Sequence, residues 1–175
     1  MSMYKYVREL WKQPKKNMPE LWRQRLIDWR KEDASVRVDK PTRIDRARSL
    51  GYKAKPGFIV VRQRVIRGGH KRPMIKHGRR PKRFHQTKNL DLSYQTIAER
   101  RADKKYVNCE VLNSYFVAED GRYAWYEIIL VDRAHPVIKS DKNINWICDK
   151  KGRFERGLTS SAKKSRRRTT MTKGN

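Results

Sequence analysis

Among the residues of this chain that can do chemistry, arginine and lysine dominate, and their spacing points to phosphate neutralisation. The chain has 45 Lys and Arg against 18 Asp and Glu, a formal net charge of +27. Residues 68–88 (GGHKRPMIKHGRRPKRFHQTK) hold eight Lys and Arg and no acid, and residues 150–175 hold ten with a single acid. Cations packed this densely repel one another unless an extended polyanion lies against them. A third group places five cations in the 13 residues from Arg43 to Lys55. Arginine suits bidentate phosphate contacts and stacks on exposed bases, which gives Arg79-Arg80 and Arg166-Arg167-Arg168 a role in the most basic stretches.

The other reactive residue types do not assemble into a catalytic pattern. There is no Gly-x-x-x-x-Gly-Lys, no Gly-x-Gly-x-x-Gly at a strand-to-helix turn and no His-Glu-x-x-His. Glu119, Asp120, Glu127 and Asp132 are the acids a magnesium-dependent nuclease would use, but the first two fall in a hairpin turn and the others on opposite strand faces. Three of the four histidines, His70, His77 and His85, stand in the basic stretch, where neighbouring cations oppose a zinc ion and favour anion contact or stacking on bases. Cys109 and Cys148 form no Cys-x-x-Cys pair and read as reduced thiols. The expectation is a protein that is not an enzyme, with no cofactor, no metal and no small-molecule substrate.

The elements that position these cations are legible in part. Tyr4, Val7, Leu10 and Trp11 share one side of a helix that Pro14 interrupts, and Leu21, Trp22, Leu26 and Trp29 form the stripe of a second, with Pro19 in its first turn. The tryptophans read as core in preference to base-stacking platforms. In PTRIDRARSLGYKAKPG, residues 41–57, Thr42 is placed to cap a short helix with Asp45 at its third position, and Leu50-Gly51 to end it. In GFIVVRQRVIR, Ile59, Val61 and Val65 alternate with Arg62 and Arg64, the pattern of a strand that buries one face and presents guanidinium groups on the other. Residues 68–88 have no period of either kind and read as a loop that could project on the order of 35 Å. A helix starts near Asp91 or Ser93, and Asp120-Gly121 joins two apolar strands. Tyr123, Trp125, Ile129 and Val131 fall on one face of the second strand and Ala124, Tyr126, Ile128 and Leu130 on the other, so both faces should be covered.

Charge is segregated along the chain. Residues 108–149 carry four Lys and Arg against seven Asp and Glu, a net of −3, so the rest sums to +30. An apolar fraction of 37% means a small core for 175 residues. The expected fold is α+β: a small mixed or antiparallel sheet with helices packed on its faces, plus N-terminal helices and an extended basic loop and tail. Residues 1–56 read as a helical, basic region that meets a polyanion, 57–149 as an α/β body carrying the loop 68–88, and 150–175 as a basic extension. No apolar run approaches the 18 or so residues of a spanning helix, and the N-terminus has no secretory h-region, so a soluble intracellular protein is expected.

Collinear motifs narrow the polyanion. YKYVRELW at 4–11, PTRIDRARSLGYKAKPG at 41–57, RGGHKRP at 67–73, AERRA at 98–102, VLNSYFVAEDGRYAWYEIILVD at 111–132, HP at 135–136 and RGLTS at 156–160 resemble the archaeal and eukaryotic large-subunit ribosomal protein fifteen-e family. Members usually continue farther beyond RGLTS than Asn175. The resemblance implies a cytoplasmic structural protein of the large ribosomal subunit, with an α/β body and extensions threaded through rRNA. Its implied partners are large-subunit rRNA and neighbouring ribosomal proteins, and no membrane. The residues expected to contact RNA are Arg43, Arg46, Arg48, Tyr52, Lys53 and Lys55 in the first basic group and Arg62, Arg64 and Arg67 in the strand and its end. The loop adds His70, Lys71, Arg72, Lys76, His77, Arg79, Arg80, Lys82, Arg83, His85 and Lys88. The tail adds Arg156, Lys163, Lys164, Arg166, Arg167 and Arg168. A chromatin-like DNA-binding protein and a nuclease are the two other classes that share this charge.

Overall fold

The computed structural model describes residues 2–71, 78, 87–88, 90 and 92–171, with the side chains of 70–71, 87–88 and 166–171 excepted. A four-stranded antiparallel sheet organises the chain. Its strands are β1 (Ser35–Val38), β2 (Phe58–Ile66), β5 (Cys109–Glu119) and β6 (Tyr123–Asp132), in the spatial order β1-β2-β6-β5. Two further short strands, β3 (His70–Lys71) and β4 (Thr87–Lys88), pair with each other, His70 opposite Lys88. The helices are α1 (Met3–Leu10), α2 (Pro14–Asn17), α3 (Pro19–Lys31), α4 (Ile44–Ser49), α5 (Tyr94–Lys105), α6 (Pro136–Ser140) and α7 (Ser160–Met171). The α+β architecture read from the sequence is the one observed.

β6 lies inside the sheet, between β2 and β5, and its two apolar faces feed two cores. On one face Trp125 and Ile129 meet Trp11, Trp22, Trp29 and Ala47 from the N-terminal helices. On the other Ile128 and Leu130 meet Val61, Val65, Ala98 and Ala102. The three N-terminal tryptophans are buried, and Trp11–Trp22 and Trp29–Trp125 each bring ring centroids to 6.1 Å. They are packing residues, which excludes them as platforms for bases. A smaller cluster of Val131, Ile138, Ile144 and Ile147 closes one end. There Gly57, at φ +91°, lets β2 begin against α6, where a Cβ would lie 2.5 Å from Ile138 Cγ1.

Three local expectations are corrected. β2 does not offer its arginines to solvent: Arg62 is 8% exposed, bonded to Glu32 Oε2 at 2.7 Å and set over the Trp29 ring at 4.6 Å. Its alternation records two covered faces, with a paired cation standing in for an apolar residue on one of them. Thr42 does not cap α4. Its backbone N–H donates to the Glu127 carboxylate at 3.0 Å and its hydroxyl also donates to Glu127, while Arg43 occupies the N-cap position without a side-chain bond. The helix does end as expected, with Gly51 at φ +97° and Tyr52 N bonded to Ala47 O at 3.0 Å. The β5–β6 hairpin tip is shifted by one residue: the Asp120 N–H donates to Tyr123 O at 2.9 Å, so the two residues at the tip are Gly121 and Arg122 instead of Asp120 and Gly121, and Gly121 is not left-handed. Asp120 Oδ1 instead accepts the backbone N–H groups of Arg122 at 2.7 Å and Tyr123 at 2.6 Å, and Oδ2 accepts Arg30 Nε at 2.8 Å.

The stretch after residue 149 packs on the sheet. Glu110 accepts from the backbone N–H of Gly152 at 2.8 Å and of Arg153 at 2.9 Å, and Phe154 joins the second core. Thr159 Oγ1 donates to the buried Glu99 carboxylate at 2.7 Å, which also accepts the Ser114 hydroxyl. α7 then lies on α5, where Thr96 Oγ1 meets Ser161 Oγ at 2.7 Å and Ser165 Oγ at 3.0 Å.

Candidate nucleic-acid interface

The sequence-identified cations separate into three populations. Some are committed to the fold. Arg62 belongs to the Trp29–Glu32 contact, and Arg64 donates to Arg30 O at 2.6 Å and lies over the Tyr123 ring at 4.7 Å. Arg67 donates to Asp120 O and stands 4.0 Å from Glu119. Lys53 (3.1 Å) and Lys55 both bond Asp141 Oδ2, and with the Asn143 N–H they hold that carboxyl well below the usual carboxylate range. Tyr52 packs edge-on against Phe58 at 6.0 Å.

A second population faces solvent. Arg46 and Arg48 project from α4, Arg156 from the turn before α7, and Lys163 and Lys164 from α7 itself. Arg43 is held half-buried over the Trp11 ring at 5.0 Å, with Asp45 at 3.7 Å, and Arg48 lies 5.5 Å from the Tyr4 ring centroid. Stacking on an aromatic leaves the edge of a guanidinium, where its donors are, free for an anion.

The third population belongs to the basic loop and the end of the tail. His70, Lys71 and Lys88 lie on the paired β3 and β4, so the excursion is closed at its base where the sequence showed no periodicity. Arg72, Lys76, His77, Arg79, Arg80, Lys82, Arg83 and His85 lie outside the described residues. Arg166, Arg167 and Arg168 fall on α7, a helical continuation that the sequence reading treated as an extended tail.

α1, α4, β5, α5 and α7 meet around a cleft of about 610 Å³. Its lining brings together Arg8, Arg43, Arg46 and Lys164 from three helices remote in sequence. On its strand side stand Asn113, Ser114, Tyr115 and Phe116, with Gln95 from α5. Arg8, Gln95, Asn113 and Phe116 escaped sequence reasoning. Arg8 sits on the polar side of an amphipathic helix, and the other three lie in segments that read as ordinary core. Beneath the cleft the Tyr115 hydroxyl donates to Glu127, and burial together with that carboxylate pushes the phenol above its usual range.

A model of the family described as Ribosomal L15 matches residues 2–175. The chain belongs to this family. Ribosomal protein fifteen-e is a structural component of the large subunit of the cytoplasmic ribosome, a family whose role is structural and not catalytic. In this member of the fifteen-e family Glu127 is fully buried under Thr42 and Tyr115, and Asp120 is occupied by the hairpin. Among the described residues no group of three or more His, Cys, Asp and Glu is placed to hold a metal ion, and no helix is long and apolar enough to cross a membrane. Both cysteines are free, and burial pushes the Cys109 thiol up to about 11.

Proposed function

We propose that this constituent of the large subunit binds and stabilises folded large-subunit rRNA through its basic helices, loop and tail. The observation that carries the reading is the convergence of Arg8, Arg43, Arg46 and Lys164 on one cleft, with Arg48 and Lys163 exposed on the same two helices, α4 and α7. Cations from elements so far apart in sequence recognise the shape of a folded backbone more readily than a linear base sequence. Residues 1–56 and 150–175 supply cationic helices around a sheet whose edge strand β1 also comes from residues 1–56. The loop at 68–88 adds eight cations without an acid, and Arg72, Lys76, Arg79, Arg80, Lys82 and Arg83 are its phosphate ligands. Neighbouring ribosomal proteins are the second class of partner.

Binding of a folded large-subunit rRNA fragment, titrated across salt concentration, tests this. Each phosphate contact contributes about 0.7–0.9 to the magnitude of the log-log slope. Deleting residues 70–86 should leave the body folded while lowering both affinity and slope. An unchanged slope removes the loop from the interface, and displacement of the rRNA by duplex DNA at equal phosphate concentration would favour the chromatin-like reading.

A further inference from the structure

We infer that the cleft between α4, β5 and α7 seats a single unpaired nucleotide of RNA, with its phosphate on the cationic rim and its base against Phe116. The inference rests on the rRNA-binding reading and adds to it a site for one unstacked base. Arg8, Arg46 and Lys164 are exposed at the rim, whereas Phe116 is an aromatic ring left 40% exposed between the buried Tyr115 and Val117 of β5. What sets this ring apart from other exposed apolar side chains is its place in the wall of a cationic cleft, where a base can stack on it while its phosphate meets the rim. Its ring is held in place by a T-shaped contact with Tyr126 at 5.8 Å.

Two amides in the same wall have fixed orientations. The Gln95 side-chain NH₂ donates to Ser114 O at 3.0 Å and to Ser114 Oγ at 2.8 Å, which leaves its carbonyl oxygen as an acceptor. Asn113 Oδ1 accepts the Ser114 N–H at 2.9 Å, which leaves its NH₂ as a donor. One strand residue therefore sets a donor and an acceptor in opposite senses along one lining, the pattern needed to bond the edge of a base. The one carboxylate there, Asp45, is drawn toward Arg43 at 3.7 Å, which limits its repulsion of a phosphate. A duplex has its bases stacked and paired and cannot offer one to this site.

The test uses the full chain with two probes of equal phosphate count: a short single-stranded RNA of mixed sequence and a duplex RNA. Phe116→Leu keeps most of the packed volume and removes the stacking face. It should weaken single-strand binding at least about 5-fold, the lower end of what one stacked base contributes, with the salt slope and duplex affinity unchanged. Lys164→Gln, on an exposed helix face, should lower the single-strand slope by about 0.7, more than it lowers the duplex slope. Equal loss on both probes, or no loss on either, overturns the nucleotide site while leaving rRNA binding standing. Failure of the unaltered protein to bind either RNA overturns the wider reading as well.

Discussion

At the scale of single residues, two of the three buried glutamates among the described residues, Glu127 and Glu99, hold the interior in different ways. Glu127 accepts from Thr42 twice and from Tyr115 once, which ties the segment before α4 to the sheet. Glu127→Ala would leave the buried Tyr115 hydroxyl and two donors of the half-buried Thr42 without their acceptor, and a loss of about 3 kcal/mol is expected from urea unfolding. Glu127→Gln, which keeps one acceptor oxygen, should lose less. Burial raises the Glu99 pKa above its ordinary 4.5, against the opposing hydrogen bonds from Ser114 and Thr159. The folded state then binds the proton more tightly than the unfolded chain. The stabilising contribution is present below pH 4.5 and is lost as pH rises through the elevated folded value. Glu99→Gln should therefore flatten the decline of Tm over that window, and a decline as steep as that of the parent protein would contradict the assignment.

At the scale of elements, the turn between α4 and β2 is the most sensitive to a small change. Gly57→Ala must accept a left-handed backbone and a Cβ in the space of Ile138, together about 2–5 kcal/mol, read as a lower urea midpoint at constant m-value. The elements that the sequence revealed share a strong period or a specific terminator. The tryptophan stripe of α3, Pro19 at its first turn, Gly51 after α4 and the apolar strands around Asp120 are of this kind. Those it hid lack an apolar signal. β1 is a four-residue edge strand, and α7 (SSAKKSRRRTTM) attaches through serines bonded to Thr96, so no hydrophobic face announces it. Arg62 misled for the opposite reason, because a cation stacked on a tryptophan and paired to Glu32 follows the alternation of an exposed one. The candidate interface was legible as composition, in the basic runs, but not as a place. The cleft depends on bringing α1, α4 and α7 together, and no spacing along the chain encodes that.

At the scale of the whole molecule, a net charge of +27 on 175 residues acts on folding and on binding with opposite signs. Self-repulsion among the cations destabilises the compact free protein, and salt screens it over about 10 Å at 0.1 M. Raising ionic strength should therefore raise the Tm of the free protein while lowering its affinity for rRNA. A Tm that fell along with affinity would mean that the internal ion pairs, such as Arg62–Glu32 and Arg30–Asp120, outweigh the repulsion. Bound rRNA supplies by contact what salt supplies by screening, so the complex should melt well above either free component.

The carboxylate that joins α5, β5 and Thr159 also sets an order in time. Sixty residues separate Glu99 from Thr159, so at 5–20 residues per second a ribosome needs about 3–12 s to deliver the second partner after the first has been made. α5 is fully synthesised six residues after Glu99, and for the rest of that interval its surface for Ser161 and Ser165 has no partner from the same chain. A newly made chain thus passes through a stage at which its interior is open along one helix, and the basic segment proposed to face RNA is also the piece that shuts it.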